Sequence, residues 1–182
     1  MAFSSPGRKR PPDTTRLLAL LTLLLAPRAA GAQEIAPGKV APEIDLPTLS
    51  GGRVKLSALR GHPVVVTFWG TWCPPCKVEF PELVAAHRKY REAGLEVIAV
   101  NQRDQEIRTT DVEAFVKEHK VEFIVAMDPR GKSRRSYRLI GLPTTVFIDS
   151  AGIIRQVNSG PIPPSELARG LATILPAKGP GS

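Results

Sequence analysis

Hydrophobic positions along this chain follow two rhythms. Residues 63–69, PVVVTFW, are an almost unbroken apolar run rich in β-branched side chains. That pattern belongs to a strand buried on both faces of a sheet. LEVIAVN, 95–101, repeats it, and EFIVAMD, 122–128, reads as a shorter strand or extended segment. TTVFID, 144–149, and IIRQV, 153–157, flank Ser150-Ala151-Gly152 and predict a β-hairpin. Nearer the N-terminus, the alternating stretches EIDL and RVKL enclose Gly51-Gly52 and predict another. Ser57 is expected to cap a short helical turn through Leu59.

Between these strands the period lengthens to that of a helix. From Cys76 to about Ala93, Phe80, Leu83, Val84 and His87 fall near one side, Pro81 predicts a kink, and Gly94 marks the stop. Residues 109–120 carry an apolar stripe of Val112, Phe115 and Val116. GKSRRSYRLIG, 131–141, reads as a short basic helix ending at Gly141, and 164–175 as a last helix. The order is hairpin, β-α-β, helix, β-hairpin, helix. Alternating elements predict an α/β fold, and adjacent final strands predict a central mixed β-sheet flanked by helices, with an N-terminal β-hairpin.

The first 32 residues do not belong to that pattern. Arg8, Lys9, Arg10 and Arg16 precede the apolar run LLALLTLLLA, 17–26, and Ala30 and Ala32 form an A-x-A arrangement before Gln33. This is the layout of a secretory signal peptide, with cleavage expected after Ala32; an uncleaved signal anchor is the alternative. The expected organisation is therefore a signal peptide or signal anchor over 1–32, one domain over 33–178 and a flexible tail over 179–182. The whole chain of 182 residues has a net charge of +8. Without residues 1–32 it retains 20 basic and 16 acidic residues, a net charge of about +4. Nucleic acid as a partner loses its support. The expected compartment is the periplasm or another extracytoplasmic space, where disulfides persist, reached as a soluble protein or anchored through the uncleaved N-terminal segment.

The chain holds two cysteines, both in WCPPC, 72–76. A disulfide between Cys73 and Cys76 closes a four-residue loop, which loop entropy values at only about 2 kcal/mol. A structural staple would link more distant segments. A structural zinc site needs four ligands, and His62, His87 and His119 do not form a second close pair. Binding of Cu(I) by the two thiolates is a separate reading. The redox reading fits best. A thiol at a helix N-terminus meets the positive end of the dipole and free backbone N–H groups, which favour the attacking thiolate. Cys73, nearer the surface, is expected to attack, and Cys76, one turn in, to resolve. Pro74 and Pro75 suit the first helical positions but lack N–H groups. The Cys73 pKa is therefore expected to be lowered only moderately.

VVVTFWGTWCPPCKVEFPEL together with GLPTTVFID resembles the thioredoxin fold, and within it the extracytoplasmic TlpA/ResA-like thiol–disulfide oxidoreductases. The likeness spans about Ala41 to Leu175 and includes the N-terminal hairpin. It implies that Pro143 is a cis-proline facing the cysteines and that the backbone of Leu142 pairs with an incoming substrate chain. It implies that Glu79 exchanges a proton with Cys76; a solvated helix glutamate is the alternative. Trp72 is expected to shield Cys73 and contact substrate, and Trp69 and Phe68 to be core. Thr67 stands where thioredoxin carries a buried aspartate, which leaves Glu79 as the expected proton acceptor. The basic cluster Arg130, Lys132, Arg134, Arg135 and Arg138 reads first as a solvated face and second as a docking patch for an acidic partner or membrane surface.

The function so implied is reduction of protein disulfides, with apocytochrome c or copper-site thiols as candidate substrates. It requires no organic cofactor or metal, recycling by a membrane-embedded electron donor, and a monomer by default. A thiol oxidase is the enzymatic rival and a Cu(I) chaperone the non-enzymatic one. A peroxidatic role is disfavoured because the cysteine stands in W-C-x-x-C rather than a T-x-x-C setting.

Overall fold

The computed structural model describes residues 35–176 together with Met1. The expected signal segment over 1–32, Met1 apart, and the tail over 179–182 lie outside the described residues. Among the described residues, no helix is long and apolar enough to cross a membrane.

Among the described residues, seven strands and four α-helices follow one another in the expected order. The strands are β1 (Asp45–Pro47), β2 (Arg53–Lys55), β3 (Val64–Trp69), β4 (Glu96–Asn101), β5 (Ile124–Met127), β6 (Thr144–Ile148) and β7 (Ile154–Ser159). The helices are α1 (Pro74–Tyr90), α2 (Thr109–Glu118), α3 (Lys132–Ser136) and α4 (Pro164–Ile174). β1 and β2 form the two-stranded hairpin, and the other five strands form one sheet ordered β5-β4-β3-β6-β7. β3, β4 and β5 run parallel, and β6 and β7 are antiparallel additions, so the sheet is mixed.

Strand alternation divides the core into two layers. Val65, Trp69, Val97, Ala99 and Phe147 face a cluster with Phe80 and Leu83 of α1, Phe115 of α2 and Leu171 of α4. Val64, Val66, Phe68, Ile98 and Val146 face a second cluster with Leu46 and Val54 of the hairpin and with Tyr137. β3 and β6 are buried at every position, β3 as its apolar run requires. The segment after β1 covers the β5 edge: Leu49 N–H donates to Val125 O at 2.9 Å, and Thr48 bridges Ala126. An edge strand is thereby closed to other chains.

Local expectations required two corrections. Ser57 does not cap the turn that follows β2. That turn is a 3-10 segment, Leu56–Leu59, beginning after Lys55 without a side-chain cap, and Ser57 N–H instead donates to Glu43 Oε1 at 3.2 Å. The basic helix does not extend to Gly141 either. α3 ends at Ser136, and Arg138 adopts a left-handed conformation with φ 48°. Tyr137 forces that early stop. Its ring is buried beside Phe68, and its hydroxyl donates to Pro42 O at 2.7 Å, so the chain must turn there. By contrast α1 runs through Pro81, and Gly94 ends the 3-10 turn that follows it with φ 86°.

Candidate active site

β3 is buried to its last residue, Trp69, and the chain then turns sharply. Cys73 N–H donates to Gly70 O at 3.1 Å, closing the turn that delivers Cys73 to the N-cap of α1. Pro74 and Pro75 occupy the first helical positions, where a missing N–H costs nothing. Cys73 and Cys76 are joined by a disulfide with Cα atoms 5.3 Å apart. Cys76 N–H donates to Cys73 Sγ at 3.3 Å. Helix geometry thus aims a backbone donor at the first sulfur, while the two prolines withhold two others.

Cys73 is expected nearer the surface than Cys76, and in the oxidised pair that difference is slight. Cys73 is 3% exposed and Cys76 1%, so both are buried in the oxidised pair. Both belong to the core cluster that includes Trp69, Phe80 and Leu83. Trp72 folds back over Gly70, so close that a Cβ at Gly70 would lie 2.8 Å from the indole Nε1. Trp72 itself remains half exposed. Beneath the pair, fully buried Trp69 packs against Phe80 at 4.6 Å and Phe115 at 4.5 Å between ring centroids. These contacts fix the start of α1 against the sheet.

Glu79 lies one turn beyond Cys76 and is buried, at 3% exposure. Thr67 and Thr145 form a cross-strand pair between β3 and β6 on the face that α1 covers. The Thr145 hydroxyl donates to Glu79 Oε1 at 2.7 Å, and the Thr67 hydroxyl donates to the same oxygen at 3.3 Å. Oε2 has no hydrogen bond of normal geometry. Burial pushes the Glu79 carboxyl above the ordinary carboxylate range, and hydrogen bonds from Thr145 and Thr67, with a weaker backbone interaction from Ile162, only partly oppose that. A solvated helix glutamate is therefore not what the structure contains. The acid on α1 reaches the very threonine that occupies the thioredoxin aspartate position.

Leu142–Pro143 is a cis peptide bond, directly ahead of β6. Register places it at the active-site end of the sheet: Thr144 pairs with Phe68, so Pro143 follows the line toward Trp69. The Pro143 carbonyl accepts from Gly160 N–H at 2.8 Å, whereas no described residue hydrogen-bonds to the Leu142 backbone. Leu142 packs against both core layers and lines a groove with Trp72.

One residue of the site was not foreseen. Glu106 is buried, at 8% exposure, in the loop after β4. Its Oε1 accepts from Thr71 N–H and from Asn101 Nδ2, each at 2.7 Å, and its Oε2 accepts from the Thr71 hydroxyl at 2.5 Å. Glu106 thereby ties the turn carrying Trp72 and Cys73 to the end of β4. Nothing in QRDQEIR marks that glutamate out, because its partner Thr71 is 35 residues away. Glu106→Ala leaves buried donors on Thr71 and Asn101 without an acceptor. Urea unfolding should show a loss of about 2–4 kcal/mol, the scale of several hydrogen bonds to a charged group; a loss under about 0.5 kcal/mol would mean that the loop is held elsewhere.

Residues 37–157 match the model of the AhpC/TSA family. The thiol-disulfide oxidoreductase ResA of Bacillus thuringiensis subsp. konkukian is 36% identical over 139 residues, covering 76% of this chain and 79% of that protein. The ResA of Bacillus subtilis is 34% identical over 152 residues, 84% of this chain and 83% of its own. This chain belongs to the ResA-like branch of the AhpC/TSA family. It is a thiol–disulfide oxidoreductase with a thioredoxin-like fold. A crystal structure from Chlorobium tepidum, described as a thiol:disulfide interchange protein DsbE, superimposes with a TM-score of 0.70 at 34% identity, covering 76% of this chain and 97% of that one. StoA from Bacillus subtilis superimposes with a TM-score of 0.62 at 26% identity, covering 72% and 97%. With both cysteines of the chain bonded to each other at the head of α1, the ResA-like chemistry of a dithiol pair fits this member of the family.

Proposed function

We propose that this chain reduces protein disulfides outside the cytoplasm, with Cys73 as the attacking thiol and Cys76 as the resolving one. The observation that carries this reading is the Cys73–Cys76 disulfide at the N-cap of α1, with buried Glu79 one turn behind it. The reduced pair starts the cycle. The Cys73 thiolate attacks one sulfur of the substrate disulfide, forming a mixed disulfide and releasing the other substrate sulfur as a thiolate, which takes a proton. Cys76 then loses its proton, attacks Cys73 Sγ and displaces the second substrate thiolate, which is protonated in turn. Two electrons pass to the substrate, and the Cys73–Cys76 bond forms.

Each neighbour has a part in that sequence. Glu79 accepts the Cys76 proton, because burial makes its carboxylate a stronger base than a solvated one. The unpaired backbone of Leu142, held ahead of Pro143, offers an incoming chain a donor and an acceptor in the manner of an added strand. Trp72 contacts that chain from the other wall of the groove. The signal-like layout of residues 1–32 supports an extracytoplasmic site of action, and recycling then falls to a membrane-embedded electron donor. Apocytochrome c and copper-site thiols are the substrate candidates.

Equilibration of the pair with a thiol redox buffer tests the direction. A potential near or below roughly −250 mV is expected, on the thioredoxin side of the scale. A potential above roughly −150 mV would make the chain an oxidant and reverse the electron flow.

A further inference from the structure

The turn that delivers Cys73 is held from outside by one side chain. Gly70–Cys73 is a four-residue turn, closed by Cys73 N–H donating to Gly70 O at 3.1 Å, with Thr71 and Trp72 as its central residues. Such a turn leaves the N–H of its second residue without a partner inside it. Here that N–H, on Thr71, donates to Glu106 Oε1 at 2.7 Å, and the Thr71 hydroxyl donates to Oε2 at 2.5 Å. Both oxygens of one buried carboxylate grip one residue of the turn. Asn101 Nδ2 donates to Oε1 as well, at 2.7 Å, and Asn101 is the register partner of Trp69, the residue just ahead of the turn.

The anchor is itself fixed on two sides. Gln102 N–H donates to Trp69 O at 2.9 Å, and Asp104 N–H donates to Asp128 O, just past β5, at 3.2 Å. The Asp104 carboxylate pairs with Arg134 of α3 at 3.0 Å. Burying a carboxylate is costly unless its oxygens are met, and this one meets three donors because it offers two acceptors and no donor. Thr71 is only half-buried, so water could have served its hydroxyl; burial alone does not demand this contact. What the contact does is fix the backbone two residues before the reactive sulfur. Cys73 sits at φ −94°, ψ 100°, and in that conformation its Sγ receives Cys76 N–H at 3.3 Å. Pro74 and Pro75 have no N–H to take over if the sulfur moves.

We propose that Glu106 is a positioning residue for disulfide exchange: through Thr71 it holds the Gly70–Cys73 turn in the geometry that keeps Cys73 Sγ on the Cys76 N–H at the head of α1. Glu106 touches neither sulfur by any described contact and acts through the turn. Without it the turn samples other geometries, the sulfur loses its backbone donor for part of the time, and attack slows. This inference rests on the disulfide-exchange reading above and adds to it a residue on the loop after β4.

The test uses the reduced full chain and 2-hydroxyethyl disulfide, a small uncharged probe, without denaturant. Resolution by Cys76 is intramolecular, so the second-order rate constant reads the attack by Cys73. Glu106→Ala is expected to slow that attack about tenfold and Thr71→Val about threefold. Thr71→Val keeps the branched shape and the N–H of a half-buried residue, so it answers the question even where Glu106→Ala does not fold. Glu106→Gln and Thr71→Ser should both stay within about twofold of the parent. The Gln oxygen still accepts from Thr71 N–H and Asn101, and the Thr71 hydroxyl can turn to accept from the new amide. Tyr137→Phe, which removes the distant bond to Pro42 O, should lower the urea midpoint and leave the rate within about twofold. Parent-like rates in both Thr71→Val and Glu106→Ala would overturn the proposal, leaving Glu106 a stabilising residue only. A loss in Glu106→Gln as large as in Glu106→Ala would assign the effect to charge rather than to the turn, and a similar loss in Tyr137→Phe would assign it to stability; either overturns it too. Failure of the parent chain to reduce the probe at all would overturn the exchange reading itself.

Discussion

Cys73→Ser should abolish disulfide exchange, by a factor on the order of 10⁴ or more in the rate of protein-disulfide reduction. A serine hydroxyl is almost wholly protonated near pH 7 and cannot displace a thiolate from sulfur. The local structure would survive the change, because Ser is itself a good N-cap for α1 and the site is a small one. Cys76→Ser should behave differently. Cys73 would still attack, but nothing would release the substrate, so a mixed disulfide through Cys73 should accumulate and be visible by mass spectrometry under non-reducing conditions. The two variants together separate attacker from resolver. Accumulation of the mixed disulfide in Cys73→Ser, with turnover retained in neither, would reverse the assignment. Near-equal exposure of the two sulfurs in the oxidised state, 3% and 1%, makes this experiment more decisive than inspection of burial.

Glu79→Gln should slow the resolving step by about 10²-fold at pH 7, the lower range for loss of a general base. The initial attack by Cys73 should be far less affected, so stopped-flow traces should show an unchanged first phase and a slow second one. Stability should move the other way. Burial raises the Glu79 pKa, so the folded state binds a proton more readily than the unfolded chain does. The stabilisation is fully present below the ordinary carboxylate pKa and is lost as pH rises through the raised folded value. Above that window the parent carries a buried, incompletely paired carboxylate, and the Gln variant does not. Urea midpoints should therefore fall with rising pH in the parent and stay flatter in the variant, and the variant should be the more stable of the two at pH 7. Parallel pH profiles for the two proteins would mean that Glu79 does not titrate in this range. An unchanged resolving rate would remove it from the proton pathway.

Much of the fold was legible because its cues are local. The apolar run at 63–69 read as a strand buried on both faces and became β3, and 144–149 read as the first half of a β-hairpin and became β6. The hairpins followed from glycines between alternating stretches, and α1 from period and from the helix-start chemistry of Pro74 and Pro75. Two elements were misjudged for one reason, that side chains far away in sequence decided them. Ser57 lies inside the turn rather than ahead of it, and its N–H is met by Glu43, fourteen residues earlier. The helix after Gly131 stopped early because Tyr137 reaches across 95 residues to Pro42. Glu106 escaped notice on the same ground.

The active site divides along that line. The amino-acid sequence by itself determined the Cys73–Cys76 pair at the head of a helix that follows a buried strand, because three-residue spacing and strand-to-helix punctuation are short-range properties. It also placed Glu79 on the same side of that helix as the cysteines. Only the tertiary structure decided what these groups meet. The register of β3 against β6 brings Thr67 opposite Thr145 under Glu79, and that contact, with burial by α1, sets the acid's protonation. Closure of the chain also puts both cysteines into the core cluster with Trp69 and Phe80, and the burial of Tyr137 beside Phe68 ends α3. Spacing along a chain fixes neighbours within a turn or a strand; burial and pairing between strands and helices depend on distances that exist only once the chain has closed on itself.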